Sequence, residues 1–276
     1  MSTAVLDADA IEREEGRGEV RAETGAGARL LALGRAELTL LGRNKTALYM
    51  MLVIPVMLAI AMKQTLVGTN SPGMGLSVAA ALLPATLGYV LLFGIYSNMT
   101  GAYVARREEL VLKRLRTGEL RDLEILAGTA LPAVVLGLAQ CVLLVLLGGM
   151  VLKDGLPKAP HLLIAGVLIG AVVVVAFAAV SSALARTTEA AQLVVLPLMM
   201  LSLGGSGMVV PLDALPDLLG SLLELLPLSP VMALIRVGWT GGAGTGEILK
   251  HLAVGLVWAG IAVFAVQRWF RWEPRR

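Results

Sequence analysis

Groups that do chemistry are scarce in this chain. Cysteine occurs once, at Cys141 inside an apolar run, which excludes an intrachain disulfide. The two histidines, His161 and His251, stand without the acidic or thiol company that a metal site needs. No GxxxxGK(S/T) phosphate loop, HExxH, GxSxG or CxxC occurs. The Gly-rich run Gly241 to Glu247 (GGAGTGE) lacks the Lys-Ser/Thr of a phosphate loop and reads as a flexible loop. Charge is scarce as well: 16% of the 276 residues are charged, against about 25% in ordinary soluble domains.

What is present is hydrocarbon. The chain is 57% apolar with a mean hydropathy of +0.80. The apolar residues are gathered in blocks whose length matches the ~20 helical residues needed to cross ~30 Å of lipid. Six spans are expected, at about Thr46 to Met62, Ser77 to Val104, Leu123 to Leu152, Leu162 to Ala185, Ala191 to Val210 and Ile248 to Gln267. The expected fold class is an all-α integral membrane protein. The second and third spans exceed the bilayer, so they project beyond the headgroups on one side. Pro55 marks a kink in the first span, and the turn-rich Gly68 to Gly75 follows it.

Before the spans, residues 1–28 hold seven acids and three arginines with no apolar h-region. They read as a disordered tail rather than a cleaved signal peptide. Residues 29–45 place Leu30, Leu31, Leu33, Leu38, Leu40 and Leu41 on one half of a helical wheel, with Arg29, Arg35 and Arg43 opposite. A basic helix of this kind lies in the membrane interface, touching lipid headgroups; the alternative is a linker into the first span.

Between the second and third spans lies RREELVLKRLRTGELRD, Arg106 to Asp122, with ten charges in seventeen residues. It must face water. As a helix from Arg106 to Arg116, it gathers Leu110, Val111, Leu112 and Leu115 on one arc, with Arg106, Glu109, Lys113 and Arg116 opposite. A short helix with an apolar arc and a charged rim docks into a groove; the plainer alternative is a solvated loop whose basic residues set topology. Gly118 would end this helix and Asp122 would open the next span. Placing the N-terminus in the cytoplasm leaves 18 Lys and Arg inside and only Lys63, Lys153, Lys158, Arg236 and Lys250 outside. Both termini, the loop 105–122 and the tail 269–276 are then cytoplasmic, with Trp269 and Trp272 as interfacial anchors. These Lys and Arg residues flank spans, so nucleic-acid binding is excluded as a reading.

Residues 211–240 are expected outside. Pro211, Pro216, Pro227 and Pro230 cut the stretch into pieces too short to cross, with Asp217 expected as N-cap of a short helix through about Leu226. The element folds against the outer leaflet or dips into the bundle as a broken, re-entrant helix. Within the spans, no ionisable group sits at mid-depth, which counts against proton- or sodium-coupled transport and against intramembrane catalysis. The polar residues there are neutral: Tyr89, Tyr96, Ser97, Asn98 and Thr100 in the second span, Gln140 in the third and Gln192 at the start of the fifth. They either line a solute path or join helices by hydrogen bonds. Gly166-x-x-x-Gly170 permits close helix approach.

Three places carry a resemblance: the interfacial helix before the first span, the island RREELVLKRLRTGEL, and the outer PLDALPDLLGSLLELLPLSPVMALIR. In this order, over about Leu30 to Arg268, the chain resembles the permease subunit of ABC-2 type exporters, above all the actinobacterial drug-resistance type. The resemblance implies a homodimer of six-span subunits in the cytoplasmic membrane, paired with two separate ATPase subunits that bind the ATP and Mg. This chain itself would bind no cofactor. It implies that Arg106, Arg107, Glu108, Glu109, Leu110, Lys113, Arg114 and Leu115 form the ATPase-coupling element. It also implies that the second and fifth spans border the path and that Pro211, Pro216, Asp217, Pro227, Pro230 and Arg236 belong to an outer gate. The sequence departs from the family pattern in two places: Leu110-Val111 stand where Gly-Thr commonly follows the glutamates, and Leu226 where Asn is common. The expected cargo is a hydrophobic or amphipathic compound. The rival readings are a carbohydrate- or lipid-conjugate exporter of the same architecture and a non-transporting scaffold or immunity protein.

Overall fold

The computed structural model describes residues 78–116, 121–152, 156–208, 215–270 and 272, together with Thr39, Val53 and Met57. The expected tail, interfacial helix and first span lie outside the described residues except for those three positions. Among the described residues the fold is entirely helical, with no strand. We number the helices α1 (Val78–Tyr89), a π-helix (Val90–Ser97), α2 (Asn98–Glu108), α3 (Val111–Arg116), α4 (Asp122–Leu152) and α5 (Pro160–Ser182). They continue as α6 (Thr188–Val194), α7 (Leu196–Gly205), α8 (Asp217–Leu223), α9 (Ser229–Thr240) and α10 (Thr245–Trp269).

Among the described residues, five helical stretches are long and apolar enough to cross a membrane: Leu82–Glu108, Asp122–Gly148, Pro160–Ser182, Thr188–Gly205 and Thr245–Trp269. The second expected span continues as helix to Glu108. The stretch at residues 188–205 is interrupted at Val195; Pro197, in the first turn of α7, has no N–H to donate back across that joint. Burial ranks the stretches: 78% of the Leu82–Glu108 window is buried against 28% for Thr188–Gly205 and 17% for Thr245–Trp269. The first is therefore the core, and the other two turn most of their surface outward, including Met200 and Leu201 on α7 and Leu256 and Phe264 on α10.

The middle of the bundle is α5, which is apolar around its whole circumference; Ile164, Leu168 and Val172 keep one face of it exposed. It packs on the π-helix, α2, α9 and α10. In lipid there is no hydrophobic force between helices, so close van der Waals approach has to hold them. Gly166 and Gly170 supply it on α5: a Cβ at Gly170 would stand 2.7 Å from Leu91 and 2.8 Å from Val231. Both glycines of the GxxxG pair thus face neighbouring helices.

The outer element departs from a leaflet-lying strip. Its second helix, α9, is driven into the bundle with Val231, Met232, Leu234 and Ile235 fully buried against α5 and α1. Pro216, rather than Asp217, occupies the N-cap of α8; Asp217 is the first helical residue, and the helix ends at Leu223.

Candidate functional site

The charged island is not the continuous helix that its wheel suggests. α2 ends at Glu108, the chain turns at Glu109 and Leu110, and α3 starts at Val111. Leu110 takes φ 60°, a left-handed conformation that costs an L-residue about 1–2 kcal/mol and that Gly adopts freely. This is the very position at which the resemblance leads one to expect Gly. The corner is closed by Glu109 N–H donating to Ala105 O at 2.9 Å and Leu110 N–H to Arg107 O at 3.1 Å. Leu110 is 41% exposed, so its side chain contributes little burial in return. Leu110→Gly should therefore raise the stability of the purified chain by about 0.5–1 kcal/mol, whereas β-branched Leu110→Val should lower it by about 1–2 kcal/mol; thermal unfolding in detergent checks both.

The corner sorts the candidate coupling residues into two sets. Glu108, Glu109, Leu110, Lys113 and Arg114 are exposed and form its tip, while Arg106 and Leu115 are half-buried. Arg107 is turned inward. Only 1% of it is exposed, and its guanidinium donates to Ser182 O at 2.9 Å and Ala185 O at 2.5 Å. Ser182 O ends α5, where the last turn leaves acceptors unpaired and the helix dipole is negative, and Ala185 O follows three residues beyond it. A cation placed there satisfies both. Arg107 is thus a fastening of the corner, turned away from the exposed tip.

A second fastening lies at the far end of α3. Arg116 donates to Asp122 at 3.1 Å and lies 5.0 Å over the Trp272 ring. Trp272 packs edge-on against Phe270, and Phe270 against Tyr103. Leu112, fully buried, anchors the middle of α3. Sequence reasoning assigned Leu112 to an apolar arc facing a partner; it faces the bundle.

The opposite end of α5 carries the outer element. Ala159 N–H donates to Gly238 O at 2.9 Å and Lys158 N–H to Trp239 O at 3.3 Å, so carbonyls at the end of α9 satisfy donors at the start of α5. Gly238 lies so close that a Cβ there would stand 2.5 Å from Leu163 N. Further ties run from Arg236 to Gly207 O (2.7 Å), from Trp258 to Leu225 O (2.9 Å) and from Lys250 to Glu224 (2.8 Å). Of the expected gate residues, Pro227 and Pro230 are buried, Pro216 is exposed, and Pro211 lies outside the described residues. With 23 residues, α5 is about 34 Å long at 1.5 Å per residue. The corner and the outer element are therefore held at the two ends of one helix, about a membrane thickness apart.

The polar residues of the core span also divide. Tyr96 is buried and shares a hydrogen bond of 2.9 Å with Ser181 on α5, and Thr100 bonds back to Tyr96 O at 2.9 Å. These two join and satisfy helices. Tyr89, Ser97 and Asn98 retain exposed surface, and Phe93 beside them is 40% exposed with its ring 5.9 Å from that of Tyr89. This face runs along the π-helix, whose wider turn the apolar sequence does not announce. Such segments recur at functional sites.

Among the described residues no group of acids, histidines and cysteines is placed to hold a metal. No curated protein matched the chain in sequence. A family model described as ABC-2 family transporter protein matches residues 39–266, most of the chain and the bundle described above up to the last turn of α10. The match, the apolar helices and the absence of a phosphate-loop motif agree: the chain belongs to the ABC-2 transporter family, as an integral membrane subunit of a transporter.

Proposed function

We propose that this chain is the permease of an exporter that moves a hydrophobic or amphipathic compound out of the cytoplasm or the inner leaflet. The family in general works with an ABC-type ATPase. In this reading two separate ATPase subunits, holding ATP and Mg, dock on the exposed tip formed by Glu108, Glu109, Leu110, Lys113 and Arg114. The permease is a homodimer in the cytoplasmic membrane, with both termini and the tip in the cytoplasm. The face of Tyr89, Phe93, Ser97 and Asn98 lines the path, and the element containing α8 and α9 forms a re-entrant outer gate. The cargo class follows from that face, which offers aromatic and neutral polar surface and no charge.

The observation that carries the reading is the joint fastening of tip and gate to α5. A movement imposed on the tip reaches α5 through Arg107 and reaches α9 through the contact of Gly238 with Leu163. Hydrolysis of ATP outside the membrane can reach the exit by this route without any ionisable group inside it. Affinity purification of the full chain from its native membranes should recover an ATPase, and the chain stripped of that partner should hydrolyse no ATP. A chain that comes out alone, or that hydrolyses ATP alone, would count against the reading.

A further inference from the structure

Away from the tip, the gate and the polar face, an apolar groove of about 430 Å³ lies between α4 and α10 with α5 as its floor. Its floor runs from Leu168 to Ala179 and is deepened where Ala171, Ala176 and Ala179 replace larger side chains. Its wall on α4 runs from Leu123 to Val134, and Val263 and Val266 face it from α10. The lining is hydrocarbon except for the Tyr103 hydroxyl, which already donates to Leu126 O at 3.0 Å. No group in it is set to recognise a polar solute.

Its dimensions select the occupant. The eleven-residue rise from Leu123 to Val134 is about 17 Å, close to one leaflet, half of the ~30 Å hydrocarbon core. A partner helix, ~10–12 Å across with its side chains and membrane-length, would need a seam along the full depth. The charges lie at one end only. Arg121 and Arg268 are exposed there, Arg116 is held over Trp272, and Arg106 is one turn beyond Tyr103. Among the described residues flanking the groove, the acids are Asp122, bonded to Arg116, and Glu124, which accepts from the Arg121 backbone N–H at 3.0 Å. Four arginines against two acids leave the mouth positive.

We propose that this groove is a phospholipid site: one acyl chain lies along α5 between α4 and α10, and the arginines at the mouth hold an anionic headgroup of the leaflet on the side of the corner. The site needs only the membrane placement of the chain and stands apart from the transport reading. The test uses the full chain, extracted from vesicles of equal parts dioleoyl phosphatidylglycerol and phosphatidylcholine and weighed intact by native mass spectrometry. One phosphatidylglycerol per chain should be retained, enriched about tenfold over phosphatidylcholine. Ala127→Phe and Val172→Trp, both at outward-facing positions of the groove, should cut retention at least fivefold, while Leu201→Trp on α7 should not. Arg121→Gln with Arg268→Gln should return the ratio of the two lipids to the input. Phosphatidylglycerol should also raise the melting temperature of the wild-type chain more than phosphatidylcholine does, a comparison that needs no variant. Equal retention of the two lipids by the wild type, retention unchanged in the filled variants, or equal thermal shifts would overturn the proposal.

Discussion

Arg107→Ala is expected to cost the folded chain about 3–5 kcal/mol, since two buried carbonyls each lose a charge-assisted partner and neither can reach water. In thermal unfolding this amounts to a fall of the order of 10 °C. Arg107→Lys keeps the charge but not the fork that reaches Ser182 O and Ala185 O together, and should recover about half of the loss. Charge reversal at Glu108 or Glu109, one and two residues along, should change stability by no more than about 0.5 kcal/mol, because both side chains are exposed. Neighbouring charges in one island thus divide into a buried structural residue and exposed ones, a division that only burial reveals. If Arg107→Ala melted within 2 °C of the wild type on that ~10 °C scale, the corner would have to be held by something other than its guanidinium.

Gly238→Leu should undock α9 from α5. A Cβ at this position meets Leu163 N at 2.5 Å, Leu163 Cβ at 2.7 Å and Leu163 Cα at 2.8 Å. Two of these atoms are backbone, so no rotamer change relieves the clash, and the helices must part by about 1 Å to regain ordinary contact at ~3.5–4 Å. Parting them also stretches the bonds from Ala159 to Gly238 and from Lys158 to Trp239. Even Gly238→Ala should cost about 2–4 kcal/mol. Gly260→Ala on α10, where an added Cβ meets nothing within 4 Å, should be neutral or stabilising by up to ~1 kcal/mol. Limited proteolysis across residues 215–240 reads the undocking directly: the Gly238→Leu chain should be cut there, and the wild-type and Gly260→Ala chains should resist.

The parts legible in the sequence are those set by bulk physics. Apolar blocks of membrane length, expected at 77–104, 123–152, 162–185, 191–210 and 248–267, overlap the helical stretches 82–108, 122–148, 160–182, 188–205 and 245–269. The charged island was expected to face water, and Glu108, Glu109, Lys113 and Arg114 are exposed. Pro216, Pro227 and Pro230 stand at or beside the ends of the short helices α8 and α9, as the stop signals require, yet the pattern left two positions open, on the leaflet or in the bundle. The deciding fact, that Gly238 fits against the backbone of Leu163, joins residues 75 positions apart and has no local signature.

Other features were hidden for similar reasons. Arg107 looks like any other island charge until α5 brings the carbonyls of Ser182 and Ala185 to it. The π-helix at Val90–Ser97 has ordinary apolar composition. The corner at Leu110 was concealed because a good helix former occupies a left-handed position. The one available signal was the replacement there of a glycine that the resemblance leads one to expect. Tyr96 and Thr100 were grouped with Ser97 and Asn98 by polarity alone, whereas burial separates them into internal bonds and accessible surface.

The most direct test of ATPase docking at the corner is a comparison of partner recovery. The wild-type chain and a Glu108→Arg, Glu109→Arg double variant would be purified from native membranes at equal expression, with melting temperature as the control for folding. The expected result is an ATPase recovered with the wild type and reduced at least about tenfold with the variant, a loss of ~1.4 kcal/mol in docking or more, at an unchanged melting temperature. Equal recovery from both chains would contradict docking at the corner.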